Sequence, residues 1–111
     1  MTTLSSGGYA TSAYQAAQVQ SLSPVEIMLQ LYDFAIAGCV AGDSRKASAA
    51  LVELIAALNF DYEEIATGLY RLFEYALREV KAQHFESAQR VLTELRSTWH
   101  QALGVPSGPE V

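Results

Sequence analysis

The sequence predicts an all-α protein: an antiparallel up-down-up-down four-helix bundle, preceded by a flexible N-terminal segment able to dock as a short extra helix. Three observations carry that prediction. Four stretches place apolar residues at helical spacing. The gaps between them are about three residues long and carry helix-stop or helix-start residues, which suits antiparallel neighbours. No stretch alternates strictly and no Asn-Gly turn occurs, so no strand is expected.

The first helix is expected over Pro24 to Val40. In LSPVEIMLQLYDFAI, residues 22–36, Ser23 is placed to cap, Pro24 fits the first turn and Glu26 completes a capping box. The polar residues Glu26, Gln30 and Asp33 form one narrow line, and nearly everything else in the helix is apolar. A surface helix needs only one apolar stripe. Met28, Leu31 and Ala35 supply such a stripe, which leaves Leu29, Tyr32 and Ile36 to face a partner or a lid. Ala41-Gly42-Asp43 ends this helix, with Gly42 as a left-handed cap.

The second helix is expected over Ser44 to Leu58, started by Asp43 or Ser44, with Ala47, Leu51, Leu54, Ile55 and Leu58 on one face. Arg45 and Lys46 in its first turn oppose the helix dipole. Asn59-Phe60-Asp61 breaks the chain again, and Asp61 with Glu64 suggests a second capping box. The third helix, Tyr62 to about Ala82, carries Ile65, Leu69, Leu72, Phe73, Ala76 and Val80 as its core stripe. Tyr62, Ala66, Tyr70 and Leu77 run beside it, and Glu74–Arg78 supports the outer side. The fourth helix, Glu86 to Leu103, aligns Ala88, Val91, Leu92, Leu95, Trp99, Ala102 and Leu103 before Gly104 and Pro106 stop it.

Domain organisation follows: a flexible segment over 1–20, the bundle over 21–104 and a loose tail over 105–111. Within the first segment Tyr9 to Val19 has a weak amphipathic pattern, too short to hold a helix alone. It lacks the basic start and apolar run of a signal peptide.

Composition narrows the function. The chain has 111 residues, half of them hydrophobic, and a net charge of −5. No Lys or Arg precedes Arg45, so a nucleic-acid partner is not expected. One cysteine, Cys39, gives neither a disulfide nor a paired metal motif, and suits a reducing cytoplasm. No uninterrupted run approaches 18 apolar residues, so no membrane span is expected. No Glu is followed three residues later by His, as di-iron bundles require, and the two histidines, His84 and His100, read as loop or surface residues. Glu63-Glu64 falls in a helix first turn, where acids favour the dipole. The expectation is a protein without catalytic residues, metal or cofactor. Its apolar content exceeds the needs of a small core, which points to a binding surface.

Three stretches taken in order carry a resemblance. SPVEIMLQLYDFAI, LNFDYEEIATGLYRLFEYALREV and LTELRSTWHQAL, with Tyr14-Gln15 upstream, resemble the corresponding segments of the flagellin-specific export chaperone family (FliS). Trp99 stands at that family's tryptophan position. The resemblance spans roughly residues 13–103, with a shortened stretch between Leu31 and Leu58 and with Phe34 in place of a glycine. It implies a cytoplasmic chaperone that binds the C-terminal segment of flagellin, prevents premature polymerisation and brings subunits to the type III export gate. It also implies an N-terminal segment that folds over the bundle when flagellin is absent, through Tyr9, Ala13, Tyr14 and Ala17. Flagellin or lid contacts are accordingly expected at Tyr14, Leu29, Tyr32, Ile36, Tyr62, Tyr70 and Leu77. Tyr62 and Tyr70 suit a core position equally well, since a tyrosine ring packs while its hydroxyl stays wet. The competing reading is a structural module that homodimerises through the first helix and binds no flagellin.

Overall fold

The structure, a computed structural model, describes residues 22–104. The expected N-terminal segment, with Tyr14, and the tail beyond Gly104 lie outside the described residues. Ser23 opens the first helix as expected. Its hydroxyl accepts from the Glu26 amide at 3.1 Å and Glu26 accepts from the Ser23 amide at 2.9 Å. Four helices follow: α1 (Pro24–Ala41), α2 (Ser44–Ala56), α3 (Glu63–Lys81) and α4 (Phe85–Leu103). Among the described residues there is no strand.

Each helix packs on its chain neighbours, and α4 closes the square onto α1. The pairings run antiparallel. Gly38 meets Ala47 at the α1–α2 turn, while Ser44 at the start of α2 donates to the carbonyl of Val80 near the end of α3. Across the other seam Asp33 of α1 holds Arg96 of α4 through two hydrogen bonds of 2.6 and 3.2 Å. That fork geometry links the two helices, although partial exposure limits its contribution to about 1 kcal/mol or less.

The turns explain the boundaries. Gly42 takes the left-handed conformation, φ 67°, that a β-carbon disfavours, and the Asp43 carboxylate then caps α2 by accepting from the Lys46 amide at 3.1 Å. α2 stops two residues earlier than expected, at Ala56. The expected Asp61–Glu64 capping box is absent. Asn59 Oδ1 accepts from the Asp61 amide at 2.9 Å, a local turn that hands the N-cap position to Tyr62, which makes no side-chain cap. Between α3 and α4 the left-handed position falls on Gln83, φ 66°.

The core consists of Tyr32, Ala35 and Cys39 of α1, Ala47, Ala50, Leu51 and Leu54 of α2, Phe73, Ala76 and Val80 of α3, and Ala88 and Leu92 of α4. Tyr32 and Phe73 meet across its centre with ring centroids 5.9 Å apart and tilted by 57°, a favourable aromatic arrangement. Two expected stripes need correction. Ile65 and Leu72 point outward, because α3 buries the line through Ala66, Phe73, Ala76 and Val80, about 100° around the helix. Ala102 and Leu103 are exposed, since α4 runs past the end of the core.

α1 also departs from expectation in composition. Its 18 residues have a mean hydropathy of 1.3, long and apolar enough to cross a membrane by length and composition. A count of uninterrupted apolar residues misses this, because Glu26, Gln30 and Asp33 break the run without lowering the mean enough. It packs between α2 and α4, which bury its Leu29, Tyr32, Ala35, Gly38 and Cys39.

Candidate functional site

The roll of α1 is set by its closest contact. A β-carbon at Gly38 would lie 2.6 Å from the Ala47 amide nitrogen, so the two backbones touch and no side chain separates them. With Gly38 turned onto α2 and Asp33 tied to α4, the residues between them face inward. Leu29 is 5% exposed and Tyr32 is 1% exposed, which corrects the expectation that they face a partner. Ile36 is half-buried against the core, as are Met28 and Leu31. The neighbours of α1 therefore shelter the line through Leu29, Tyr32, Ala35 and Cys39, while Ile27, Phe34 and Val40 stay exposed.

Apolar surface is instead left open at one end of the bundle, where α1 begins, α2 ends, α3 begins and α4 ends. A cleft of about 130 Å³ opens there between Pro24, Ile27, Met28, Leu58, Leu69 and Trp99, with Tyr32 and Phe73 deeper in its lining. A second hollow of about 330 Å³ shares Met28, Leu58, Leu69 and Trp99 and extends to Tyr62, Ile65 and Ala66. Together they form one apolar basin. Tyr62 and Ile65 on its rim are 67% and 60% exposed. The described chain both begins, at Leu22, and ends, at Gly104, on this side.

One polar contact organises the basin. Trp99 Nε1 donates to Tyr32 Oη at 3.0 Å, which satisfies the indole and fixes its ring as a wall. Burial raises the Tyr32 pKa to about 12, against a smaller opposing effect of the Trp99 hydrogen bond. The Cys39 thiol is likewise pushed up by burial, away from the reactive thiolate. Among the described residues no three His, Cys, Asp or Glu side chains cluster to hold a metal. Asp33, which follows Tyr32 in α1, is engaged by Arg96.

Of the seven expected contacts, Tyr62 and Tyr32 belong to the basin, the first on its rim and the second in its depth. Tyr70 is exposed and its hydroxyl lies 3.5 Å from Glu74 of the same helix. Leu77 is half-buried against the core. Tyr14 lies outside the described residues. Sequence reasoning missed Met28, Leu58 and Ile65 as lining residues, having assigned all three to the core. The signal was present in the α2–α3 connection, where Phe60, Tyr62 and Ile65 crowd apolar bulk around a turn. No family model, curated protein or solved structure matches this chain.

Proposed function

We propose that this chain is a cytoplasmic chaperone of the flagellin-specific export kind, holding the C-terminal segment of flagellin until it reaches the type III export gate. The observation that carries the reading is the apolar basin, whose walls come from all four helices and whose rim exposes Tyr62 and Ile65. The ordered resemblance of three sequence stretches adds to it. Recognition is of the helix-in-groove type: an amphipathic client segment folds as its apolar anchors enter the basin.

Magnitudes decide how far the basin alone suffices. Each client Leu or Phe fully buried contributes about 1.5–3 kcal/mol. Two or three such anchors, less about 2–5 kcal/mol for ordering the client, fall short of the roughly 8 kcal/mol of micromolar binding. A flagellin segment long enough to run beyond the basin onto the bundle sides is therefore required. Short anchors alone bind weakly.

The homodimer reading through α1 has less to build on, because only Ile27 and Phe34 of its exposed apolar residues share a line, and Val40 lies about 120° around the helix from them. Calorimetric titration with the flagellin C-terminal segment from the same genome tests the proposal. Saturable binding by the whole segment, and much weaker binding by a single short helix of it, is expected. Absence of binding at near-millimolar segment overturns the chaperone reading.

A further inference from the structure

α3 carries a second unpartnered face, away from the core. Gly68, Leu72 and Tyr75 recur at spacings of four and three, the interval of a helix-pairing seam. Leu72 is 40% and Tyr75 37% exposed, and Gly68 is exposed in the middle of the helix. A glycine there weakens a helix by about 0.5–1 kcal/mol relative to alanine. Among the described residues nothing calls for it: an added β-carbon at Gly68 meets no atom within 4 Å. A shallow hollow instead opens over it, bordered by Glu63, Glu64, Thr67 and Arg71.

The charges beside this hollow identify what fits it. Glu64 and Arg71 lie two turns apart on the same side of α3, one on each side of Gly68. Neither forms an ion pair among the described residues. A helix laid antiparallel across Gly68 must present a cation opposite Glu64 and an anion opposite Arg71. α3 itself, turned end for end, has that pattern. We propose that this face of α3 pairs with the same face of a second copy of the chain, in a two-fold antiparallel contact that crosses at Gly68. The glycines let the two backbones approach closely, Glu64 of each copy meets Arg71 of the other, and Leu72 and Tyr75 close over the crossing. Such a self-complementary patch is what a two-fold dimer requires.

Sedimentation equilibrium of the full chain, from micromolar to near-millimolar concentration, tests this without any client, so its outcome is separate from that of the chaperone reading. Reversible dimerisation is expected. Glu64→Arg or Arg71→Glu alone weakens it about tenfold by setting like charges together, and the double reversal restores it to within about threefold. Gly68→Leu, which improves helix propensity, abolishes dimerisation while leaving the circular dichroism of the monomer unchanged. A chain that stays monomeric throughout, with the face left to its own residues 1–21 or to a client, overturns the proposal. So does a dimer indifferent to the charge reversals.

Discussion

Two glycines sit inside long helices of this protein, and their surroundings are opposite. At Gly38 the backbone of α2 lies where a β-carbon would go, and the glycine is the condition for the α1–α2 hairpin to close. At Gly68 the same position is open space on an outward face. The first glycine serves the fold. The second is a cost to the isolated helix that the fold does not recover. α1, the most apolar helix, buries Leu29, Tyr32, Ala35 and Cys39 but leaves Ile27, Phe34 and Val40 exposed, and α3, with its charged surface, leaves Ile65, Leu72 and Tyr75 uncovered. Apolar content alone does not say where a protein is open; the closeness of helix contacts does.

Substitution at the two glycines should therefore give opposite signs. Gly38→Ala drives a methyl into backbone atoms of Ala47 that have no flexible end to move, and should destabilise by about 3 kcal/mol in urea unfolding, the upper end of the usual overpacking cost. A loss below 1 kcal/mol would mean that α1 and α2 separate easily. The sealed interior has a second signature in pH. The folded-state pKa of Tyr32, about 12, stands above the ordinary 10.0, so the fold favours the protonated hydroxyl. That contribution is complete below pH 10 and is lost as pH rises through 12, amounting to about 2–3 kcal/mol by linkage. Tyr32→Phe should remove that component of the alkaline slope, which unfolding midpoints measured across this range will show.

The smaller effects sharpen the open side of the contrast. Gly68→Ala should stabilise the monomer by up to about 1 kcal/mol, since the methyl meets nothing and the unfolded chain loses freedom. A destabilised variant would reveal a neighbour over Gly68 within the monomer. Gln83→Gly provides a control of a different origin. Gln83 holds φ 66° in the α3–α4 turn, so glycine there should gain about 0.5–1 kcal/mol in thermal unfolding by relieving backbone strain rather than by changing any packing.

Local chemistry was legible in the sequence and orientation was not. Ser23 and Glu26, Gly42 and Asp43, Gly104, and the Glu74–Arg78 pair at 3.5 Å all sit where spacing places them, because each depends on neighbours within one turn. Asp61 failed as a cap because Asn59, two residues before it, competed for the same stretch of backbone. The azimuth of α1 was misjudged because a helix apolar on nearly every side gives no direction to its own core. The contacts that set it, Gly38 on Ala47, Tyr32 to Trp99 and Asp33 to Arg96, join distant residues. The same limit applies to α3, where the line through Ile65 and Leu72 and the line through Ala66 and Phe73 are both apolar. The basin inherits this, since it forms only when four helix ends meet.

Trp99 offers the sharpest readout of that basin, being the chain's single tryptophan and part of its wall. Its emission can be followed while the flagellin C-terminal segment is titrated into the wild-type chain and into Ile65→Glu. A blue shift that saturates with the segment, and that needs at least about tenfold more segment in the variant, is the predicted result. Emission that stays fixed while calorimetry records binding would place the client elsewhere and contradict the basin as its seat.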